Sequence, residues 1–464
     1  MFIGRERELK TLNDMFDQQR FQLFILYGRR RVGKTTFLKE FCKNKNSIFY
    51  SAEQSNEKLN LEKFSALVFE HYSEHGLEAF SNWENAIQYI HNRQTADPLV
   101  LVFDEFPYLA NINPGLLSSL QHLIDHQLQH GKLFLVLCGS YMGFMEKEVL
   151  GAKSPLFGRR TGQLHMKPFE YKTSTQFVKD FEGTEQLMLY GAFGGTAMYL
   201  QQIRSEKSMK ENIVDLFLKP TGYLYEEPLL LLKQEVQEPG IYSAIIEAIA
   251  AGASKANEIA GKTGEDAAKC LKYIGTLCEL GIINKELPFG EKTTSRKSLY
   301  SIADLMFRFW YRYVAVNKTL LETDAQEIVW KRKIEPDLNH YMGHVFEIIC
   351  KDYLLRMNSI GELPCLFTDI GRWWGTDSLT KKQVEIDLVA QDGNDYLICE
   401  CKWRNELLDY TVLDGLRKKA DIFRKKRGRT WYVLFSKSGF TDAVIQEANT
   451  AEDILLVSLH ELLQ

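Results

Sequence analysis

The chain has 464 residues but no long apolar run and no strong excess of one charge. Its longest apolar runs, such as FLVLC at residues 134–138, are too short to span a bilayer, so we expect no membrane partner. The N-terminal segment MFIGRERELK mixes acids with bases and lacks an apolar stretch, so we expect no signal peptide. Both observations favour a cytoplasmic location.

Cysteine pairs and histidine clusters with metal-ligand spacing are also missing. The eight cysteines are scattered, none forms a CxxC pair, and most lie inside apolar stretches. That usage is typical of buried free thiols in a reducing compartment. The ten histidines show no metal-ligand spacing. These absences argue against a disulfide-rich miniprotein and against a zinc framework.

The overall charge is close to neutral. The 57 Lys and Arg residues nearly balance the 61 Asp and Glu residues, which leaves a net charge of -4. Such a chain binds nucleic acid only through basic patches that acids offset elsewhere. The composition is 45% apolar and 25% charged, which is ordinary for a globular protein and excludes a disordered chain. The length exceeds that of one usual domain, so we expect several.

The first third of the chain alternates short apolar runs with helical patterns. We predict buried strands at residues 21–27, 47–51, 99–103 and 133–138, and helices at residues 34–42, 61–75 and 116–130. This alternation predicts an α/β fold in which helices cover both faces of a parallel sheet.

The most specific motif follows the first predicted strand. The sequence GRRRVGKT matches the P-loop pattern G-x-x-x-x-G-K-[ST] and opens a predicted helix. The glycines allow backbone N–H groups to face phosphates, and the helix N-terminus adds a positive field. Lys34 would reach the β- and γ-phosphates of ATP, and the Thr35 hydroxyl would bind Mg²⁺. The predicted ATP-binding residues are Gly28, Arg29, Arg30, Arg31, Val32, Gly33, Lys34, Thr35 and Thr36.

Polar residues also follow two of the other predicted strands. Asp104 and Glu105 directly follow the strand at residues 99–103. Acids buried at that position are costly unless a metal ion or another cation pairs with them. We expect Asp104 to hold the Mg²⁺ shell and Glu105 to act as the general base for water. Ser140 ends the strand at residues 133–138, where it either senses the γ-phosphate or forms an ordinary turn.

An arginine in the segment SPLFGRRTG has two interpretations. Arg159 is either a finger that stabilises the developing phosphoryl charge or a surface residue that binds a carboxylate. The residues alone leave both open.

The N-terminal segment FIGREREL, which contains Arg5, resembles the hhGRExE signature of the signal-transduction ATPases with numerous domains, a class of the AAA+ superfamily. With the P-loop, the acidic strand end and SPLFGRRTG, it resembles the archaeal-type predicted ATPases. The resemblance implies that Arg5 lies near the adenine and that the chain forms a homo-oligomer. Members of that class usually carry a Gly-x-Pro element in a helical lid, where this chain has Ala197.

We expect four domains. They are a P-loop AAA+ core at 1–170, a helical lid at 171–238, a winged helix-turn-helix at 239–305 and an α/β domain at 306–464. In the third domain, helices at 257–262 and 266–280 precede a wing at 282–299. The bases near this wing would contact phosphates, although winged helices also serve as packing modules: Lys285, Lys292, Arg296 and Lys297.

Charged residues converge on a predicted hairpin in the last domain. Strands at 384–390 and 396–403 flank a tight turn at 392–394. Because side chains alternate along a strand, Glu385 and Asp387 share one face, Glu400 and Lys402 share one face, and the two faces coincide in a hairpin. Such converging charges are unfavourable inside apolar strands without a ligand.

A hard divalent cation fits this set of residues. Asp387 and Glu400 would hold Mg²⁺, and Lys402 would orient the water or stabilise the transition state during attack on a phosphodiester. Glu347, on a helix predicted around 344–356, would complete the shell.

The same set resembles the PD-(D/E)xK nuclease superfamily. Asp387 with Glu400-x-Lys402 matches the core motif, and Glu347 matches the acidic residue of the first helix. The resemblance implies a restriction-endonuclease-like domain. Basic residues between 417 and 429 would bind a nucleic-acid backbone, DNA rather than RNA, or form a solvated helix face. A chance salt-bridged hairpin and a domain that binds without cutting remain alternatives.

The sequence therefore predicts a switch ATPase that binds and hydrolyses ATP and controls a Mg²⁺-dependent DNA endonuclease-like domain. The competing hypothesis is a regulatory ATPase whose winged helix and C-terminal domain bind DNA or a protein partner without cleavage. A third hypothesis is a chaperone-like remodeller of proteins.

Overall fold

The computed structural model describes residues 2–93, 97–292, 294–295, 297–423 and 428–464. The chain divides into two units. The first runs to Phe169 and includes Thr196–Met198, and the second comprises Glu170–Gly195 and Tyr199–Gln464. The second unit contains the segments that the sequence assigns to a lid, a winged helix and an α/β domain, so the four-domain division remains a prediction.

A parallel sheet is the centre of the first unit. Its strands run in the order β2-β3-β4-β1-β5, and every neighbouring pair is parallel. The strands are β1 (Gln22–Tyr27), β2 (Ser47–Ser51), β3 (Val100–Asp104), β4 (Phe134–Gly139) and β5 (Gly162–His165). The four predicted strands and the parallel sheet are confirmed. The strand β5 was not predicted, because the sequence GQLH contains no apolar run.

Helices cover both faces of this sheet. Successive residues of β1 point to opposite sides, so Leu23 and Ile25 belong to one buried cluster, and Phe24 and Leu26 belong to the other. The helices are α1 (Glu6–Phe16), α2 (Lys34–Cys42), α3 (Glu57–His71), α4 (Trp83–Asn92), α5 (Phe106–Ile112), α6 (Leu116–His126) and α7 (Met142–Phe144).

The second unit begins with short helices. They are α8 (Tyr171–Ser174), α9 (Gly183–Phe193), α10 (Ala197–Leu200), which starts in the first unit, α11 (Met209–Ile213), α12 (Glu227–Glu235) and α13 (Pro239–Ala250). The predicted helical character of this stretch is confirmed.

Two helices and a hairpin follow. Helix α14 (Ala256–Thr263) ends at Gly264, which adopts φ +71°, and α15 (Ala267–Glu279) begins where Asp266 caps its first backbone N–H groups. The strands β6 (Ile283–Glu286) and β7 (Leu299–Ile302) then pair in antiparallel fashion. These elements lie where the sequence predicts them. Arg296 of the predicted wing lies outside the described residues.

The C-terminal sheet is mixed. Its order is β12-β11-β10-β9-β8, in which β8, β9 and β10 are antiparallel neighbours and β10, β11 and β12 are parallel neighbours. The strands are β8 (Asp369–Thr376), β9 (Gln383–Asp392), β10 (Asp395–Lys402), β11 (Thr430–Ser436) and β12 (Ile454–Ser458). The predicted hairpin, formed by β9 and β10, is confirmed.

Helices precede, connect and follow the strands of this sheet along the chain. They are α16 (Leu305–Phe309), α17 (Lys318–Leu321), α18 (Gln326–Val329), α19 (Leu338–Ile360), α20 (Tyr410–Phe423), α21 (Asp442–Thr450) and α22 (Leu459–Leu463). Helix α20 provides the crossover between the parallel strands β10 and β11. Across the described ranges, we find no helix whose length and apolarity would let it cross a membrane.

Candidate active sites

The P-loop lies between β1 and α2. Gly33 adopts φ +97°, a conformation that an L side chain strains, and Lys34 begins the helix. The Lys34 Nζ donates to the backbone oxygens of Gly28 and Arg29 at 2.7 and 3.0 Å. The lysine is only 6% exposed, so its charge is held close to the loop. This arrangement presents an ammonium and a helix N-terminus to the same place, as a triphosphate requires.

The predicted magnesium residues meet beside this loop. The strand order places β4 between β1 and β3, and all three carboxyl ends lie at one edge of the parallel sheet. The Thr35 hydroxyl donates to Asp104 Oδ2 at 2.7 Å, and Asp104 is 3% exposed. The second carboxylate oxygen of Asp104 accepts from the Glu105 backbone N–H at 3.0 Å. An oxygen-donor pair of this kind fits the first shell of Mg²⁺ on a nucleotide.

Ser140 contacts the predicted general base. Its hydroxyl donates to both carboxylate oxygens of Glu105, at 2.9 and 2.7 Å. Glu105 adopts φ +52°, which is uncommon for a residue with a side chain. The end of β4 therefore fixes the carboxylate that follows β3. A role for Ser140 in sensing the γ-phosphate remains a prediction.

The other predicted nucleotide-binding residues have distinct surroundings. Arg30 Nη2 donates to the Tyr108 hydroxyl at 3.2 Å, and Val32 is buried in the core. Thr36 is exposed on α2. Arg5 donates to the Lys167 backbone oxygen, and its guanidinium lies 4.3 Å from the ring centroid of Phe169. The contact of Arg5 with adenine that the resemblance implies remains a prediction.

The segment containing Ala197 contacts the P-loop. The Met198 backbone N–H donates to the Arg31 backbone oxygen at 3.4 Å. A Cβ placed on Gly33 would lie 3.7 Å from the Ala197 Cβ. The position where related ATPases usually carry proline therefore lies against the phosphate loop, although the residue is alanine here.

Arg159 takes the second of its two predicted interpretations. Its guanidinium forms a two-fold ion pair with Asp125, with Nε and Nη2 each 2.7 Å from a carboxylate oxygen. The hydrogen bonds from Arg159 lower the pKa of Asp125. The Asp125 carboxylate occupies the hydrogen-bond donors on one edge of the guanidinium. This arrangement therefore does not support a role for Arg159 as an arginine finger.

The second candidate site lies at the end of the β9–β10 hairpin. Lys402 Nζ lies 2.6 Å from Glu400 Oε1 and 3.5 Å from Asp387 Oδ2. The Cys401 backbone N–H donates to the same Asp387 oxygen at 2.7 Å. Asp387 is 9% exposed and Glu400 is 4% exposed. Burial and the nearby Glu400 raise the pKa of Asp387. The hairpin thus brings together two buried carboxylates and one lysine, as their alternation along the strands predicts.

Lys419 on α20 also belongs to this site, and sequence reasoning did not assign it there. Its Nζ lies 2.8 and 2.7 Å from the two carboxylate oxygens of Glu400. The signal was present in the helix, because Lys419 follows the buried Leu416 by three residues and therefore shares its face. The sequence instead suggested that Lys419 belongs to an outward-facing basic run.

The assignment of Glu347 as a third metal ligand stays a prediction. The described residues contain no group of three Asp, Glu, His or Cys side chains arranged to hold a metal ion. Glu347 Oε2 lies 3.9 Å from His344 Nδ1, and burial, then the negative charge of Asp387, raises the pKa of Glu347 to about 8.

Glu385 has a different partner. It forms an ion pair with Arg372 of β8. Arg372 was not singled out from the sequence, because β8 carries no motif around it.

Acids neutralise part of the predicted basic surface. Arg417 pairs with Glu447 at 3.0 Å, and Arg429 Nη2 lies 3.1 Å from Glu452 Oε2. Residues 424–427 of the same run lie outside the described residues. Phosphate binding by this surface therefore remains a prediction.

The geometry of the first unit defines a P-loop ATPase domain. Residues 2–203 match the family described as an ATPase domain predominantly from Archaea, and residues 310–419 match a family of archaeal and bacterial proteins of unknown function. The uncharacterized protein MJECL04 of Methanocaldococcus jannaschii is 33% identical over 435 residues, which cover 92% of each chain. The chain belongs to the same family as MJECL04.

Other similarities are more limited. The uncharacterized ATP-binding protein MJ0423 of the same organism is 49% identical over 45 residues, which cover 10% of this chain and 76% of that protein. Among solved structures, the Aeropyrum pernix Orc1 protein in complex with DNA is 14% identical, with a TM-score of 0.35, over 70% of this chain and 93% of that chain. A mutant of Thermotoga maritima RuvB is 16% identical, with a TM-score of 0.35, over 65% of this chain and 93% of that chain. We transfer no property from these two structures.

Proposed function

We propose that this protein is a switch ATPase whose nucleotide state controls a Mg²⁺-dependent DNA endonuclease at its C-terminal sheet. The observation that carries the proposal is the cluster of Asp387, Glu400 and Lys402. Two carboxylates with such low exposure are costly in a folded chain unless a lysine or a metal ion balances their charge, and a cation would serve both at once. The ATPase half of the proposal rests on the family and on the geometry of the P-loop.

In the ATPase reaction, Lys34 binds the β- and γ-phosphates and Thr35 with Asp104 holds Mg²⁺. Glu105 accepts the proton of the attacking water, and the hydrogen bonds from Ser140 hold the Glu105 carboxylate in position. The bound Mg²⁺ neutralises charge that develops on the phosphates. The segment at Ala197 touches the P-loop, which supports it as the part of the chain that responds to the nucleotide.

In the nuclease reaction, Asp387 and Glu400 would hold the second Mg²⁺, which supplies a Lewis acid for the scissile phosphate. Lys402 lies within hydrogen-bonding reach of both carboxylates. It would donate to the attacking water or to a non-bridging phosphate oxygen. Lys419 would leave Glu400 and bind the phosphate backbone when the cation arrives.

We propose DNA as the substrate because two elements within the second unit carry basic residues. The helix α15 and the hairpin β6–β7 have the order expected of a winged helix, and Lys285 is exposed on β6. The basic run at 417–429 supplies further phosphate contacts. Assembly into a homo-oligomer, implied by the resemblance to AAA+ proteins, belongs to the same proposal.

A second candidate function has its own supporting observation. Lys402 and Lys419 both pair with Glu400, so the carboxylate is neutralised without a cation. This arrangement favours a domain that binds DNA or a protein partner and does not cleave. The two functions differ in one measurable property, which is cleavage that depends on a divalent ion.

The test is cleavage of labelled single- and double-stranded DNA and RNA by the full chain with Mg²⁺ or Mn²⁺, with and without ATP. We expect the wild type to cut DNA and Asp387→Asn and Lys402→Ala to lose at least about a hundredfold in rate. Asp392→Asn is the matched control, because Asp392 lies exposed at the end of the same strand as Asp387.

The outcomes separate the two functions. Cutting that survives Asp387→Asn and Lys402→Ala unchanged would come from a contaminating nuclease. If no substrate is cut but DNA binding persists and depends on ATP, the non-cleaving alternative holds. Loss of activity in Asp392→Asn as well would indicate damage to the hairpin rather than removal of a ligand.

A further inference from the structure

A small cavity in the second unit is lined by residues that belong to neither candidate site. Its volume is about 240 Å³, and it lies between the end of α13, the loop at Gly252, the strand β7 and the helical segment that follows α16. Its polar lining consists of Ser254, Tyr300, Ser301, Arg308 and Arg312. Two arginines therefore line one half-open pocket.

The two arginines differ in how their charge is balanced. Arg312 forms a two-fold ion pair with Asp337, at 2.6 and 2.8 Å. Arg308 forms no ion pair with any carboxylate among the described residues, and the residues outside the described ranges include no Asp or Glu. Within the described part of the chain, the buried Nε of Arg308 has no hydrogen-bond partner. One arginine at the cavity wall therefore has no ion-pair partner among the described residues, and Glu347 is the carboxyl group that acts on it from a longer distance.

A buried arginine without an ion-pair partner is unfavourable. Burial lowers the pKa of Arg308, and the positive charge of Arg312 lowers it further. The ring of Tyr341, with its centroid 5.9 Å from the guanidinium carbon, is a weak substitute for an anion. The free energy that this charge costs falls if an anion binds beside it.

We propose that this cavity binds a phosphate group, with Arg308 as its principal ligand. The planar fork of a guanidinium matches two phosphate oxygens, and the hydroxyls of Ser254 and Ser301 supply further donors. The volume exceeds that of a bare phosphate but is smaller than most cofactor pockets, so the phosphate belongs to a small molecule or to the end of a nucleic-acid strand. This site is independent of the proposed nuclease chemistry.

The test is isothermal titration calorimetry on the full chain with a saturating non-hydrolysable ATP analogue and Mg²⁺, which fill the β- and γ-phosphate positions of the P-loop so that it takes up no added phosphate. The probes are inorganic phosphate, glycerol 3-phosphate and a short oligonucleotide with or without a 5′-phosphate. We expect one phosphate site in the wild type, weakened about tenfold or more in Arg308→Gln. Arg332→Gln, which removes an exposed arginine of the same unit, should bind as the wild type does.

A second variant keeps the test decisive if Arg308→Gln fails to fold. Ser301→Asp places a carboxylate at the cavity wall, where it would pair with Arg308 and compete with phosphate, so binding should be lost while the circular dichroism spectrum is retained. A preference for glycerol 3-phosphate identifies a small-molecule ligand, and a dependence on the 5′-phosphate identifies a strand end. Equal phosphate binding by wild type, Arg308→Gln and Ser301→Asp, or no binding of any probe by the wild type, would overturn the proposal.

Discussion

The hydroxyl of Ser140 donates to both carboxylate oxygens of Glu105, at 2.9 and 2.7 Å. The two residues end neighbouring strands of one parallel sheet, and Glu105 holds a backbone conformation with φ +52°. The contact therefore fixes the direction of the carboxylate that we assign as general base. It makes Ser140 a positioning residue for ATP hydrolysis.

Replacing Ser140 by alanine should slow hydrolysis without weakening ATP binding. We expect kcat to fall about tenfold while KM for ATP changes by less than about twofold. The Glu105 carboxylate is no longer held in position, whereas the P-loop is unchanged. Ser140→Thr retains the hydroxyl and should restore most of the rate. Steady-state ATPase kinetics on the three proteins provide the measurement. A rate for Ser140→Ala equal to that of the wild type would show that the contact does not position the base.

Removing the P-loop ammonium should weaken ATP binding. Lys34→Ala eliminates a charged donor to the phosphates, so we expect ATP affinity to fall about tenfold to a hundredfold. Lys39→Ala is the control, because Lys39 is exposed on the same helix α2. Fluorescence titration with a labelled ATP analogue measures both. Equal affinities would contradict the assignment of the phosphate site.

Loss of the hairpin lysine should destabilise the protein in a pH-dependent way. Without Lys402, no positive charge on β10 balances the negative charges of Asp387 and Glu400. The pKa of Asp387 therefore rises further above its ordinary value. A carboxyl group whose folded pKa is raised loses stability as pH increases through that range. One third of the Lys402 side chain is exposed, so we expect Lys402→Ala to lose about 1–2 kcal/mol at pH 7.5 and less at pH 5.

Urea unfolding of wild type and Lys402→Ala at the two pH values measures this difference. An equal loss at pH 5 and pH 7.5 would mean that Lys402 acts through packing rather than charge.

Divalent cations should stabilise the C-terminal site. With the P-loop saturated by ADP and Mg²⁺, added Mn²⁺ should raise the midpoint of thermal unfolding of the wild type by a few degrees, by preferential binding to the folded state. Asp387→Asn removes one proposed ligand and should abolish this shift, whereas Asp392→Asn should retain it. Identical shifts in all three proteins would place the cation elsewhere.

Glu347 and His344 should give opposite pH dependences. The pKa of Glu347 is raised to about 8 by burial and by the charge of Asp387, so its contribution lowers stability as pH increases from about 4.5 to about 8. The pKa of His344 is lowered to about 3, mainly by burial, so its contribution lowers stability as pH falls below about 6.5.

Glu347→Gln should remove only the first of these contributions. We expect the variant to exceed the wild type in free energy of unfolding by about 1–2 kcal/mol at pH 9, and to match it near pH 5. Chemical unfolding at both pH values measures the difference. A variant less stable than the wild type at pH 9 would show that Glu347 is ionised and paired in the folded protein.

The sequence was sufficient for the parts of the fold that depend on local pattern. The strands β1, β3 and β4 contain continuous apolar runs, and the P-loop motif specifies a turn between a strand and a helix, so these features were predictable. The meeting of Asp387 with Lys402 followed from alternation along two strands joined by a tight turn.

Contacts between distant segments could not be predicted in the same way. Lys419 reaches Glu400 only because α20 packs beside β10, and Arg159 pairs with Asp125 only because their segments meet in the folded chain. The spacing of α20 places Lys419 on its buried face, but local spacing does not identify the partner of either residue. The raised pKa of Glu347 likewise depends on burial that the pattern of α19 alone does not reveal.

The most direct test of the account is DNA cleavage by Glu105→Gln in the presence of ATP or ADP. This variant should bind ATP without hydrolysing it, so it holds the chain in one nucleotide state. The account predicts that its cleavage rate differs at least about fivefold between ATP and ADP, and that Asp387→Asn in the same background abolishes cleavage with either nucleotide. Equal rates with ATP and ADP would contradict control of the C-terminal site by the ATPase.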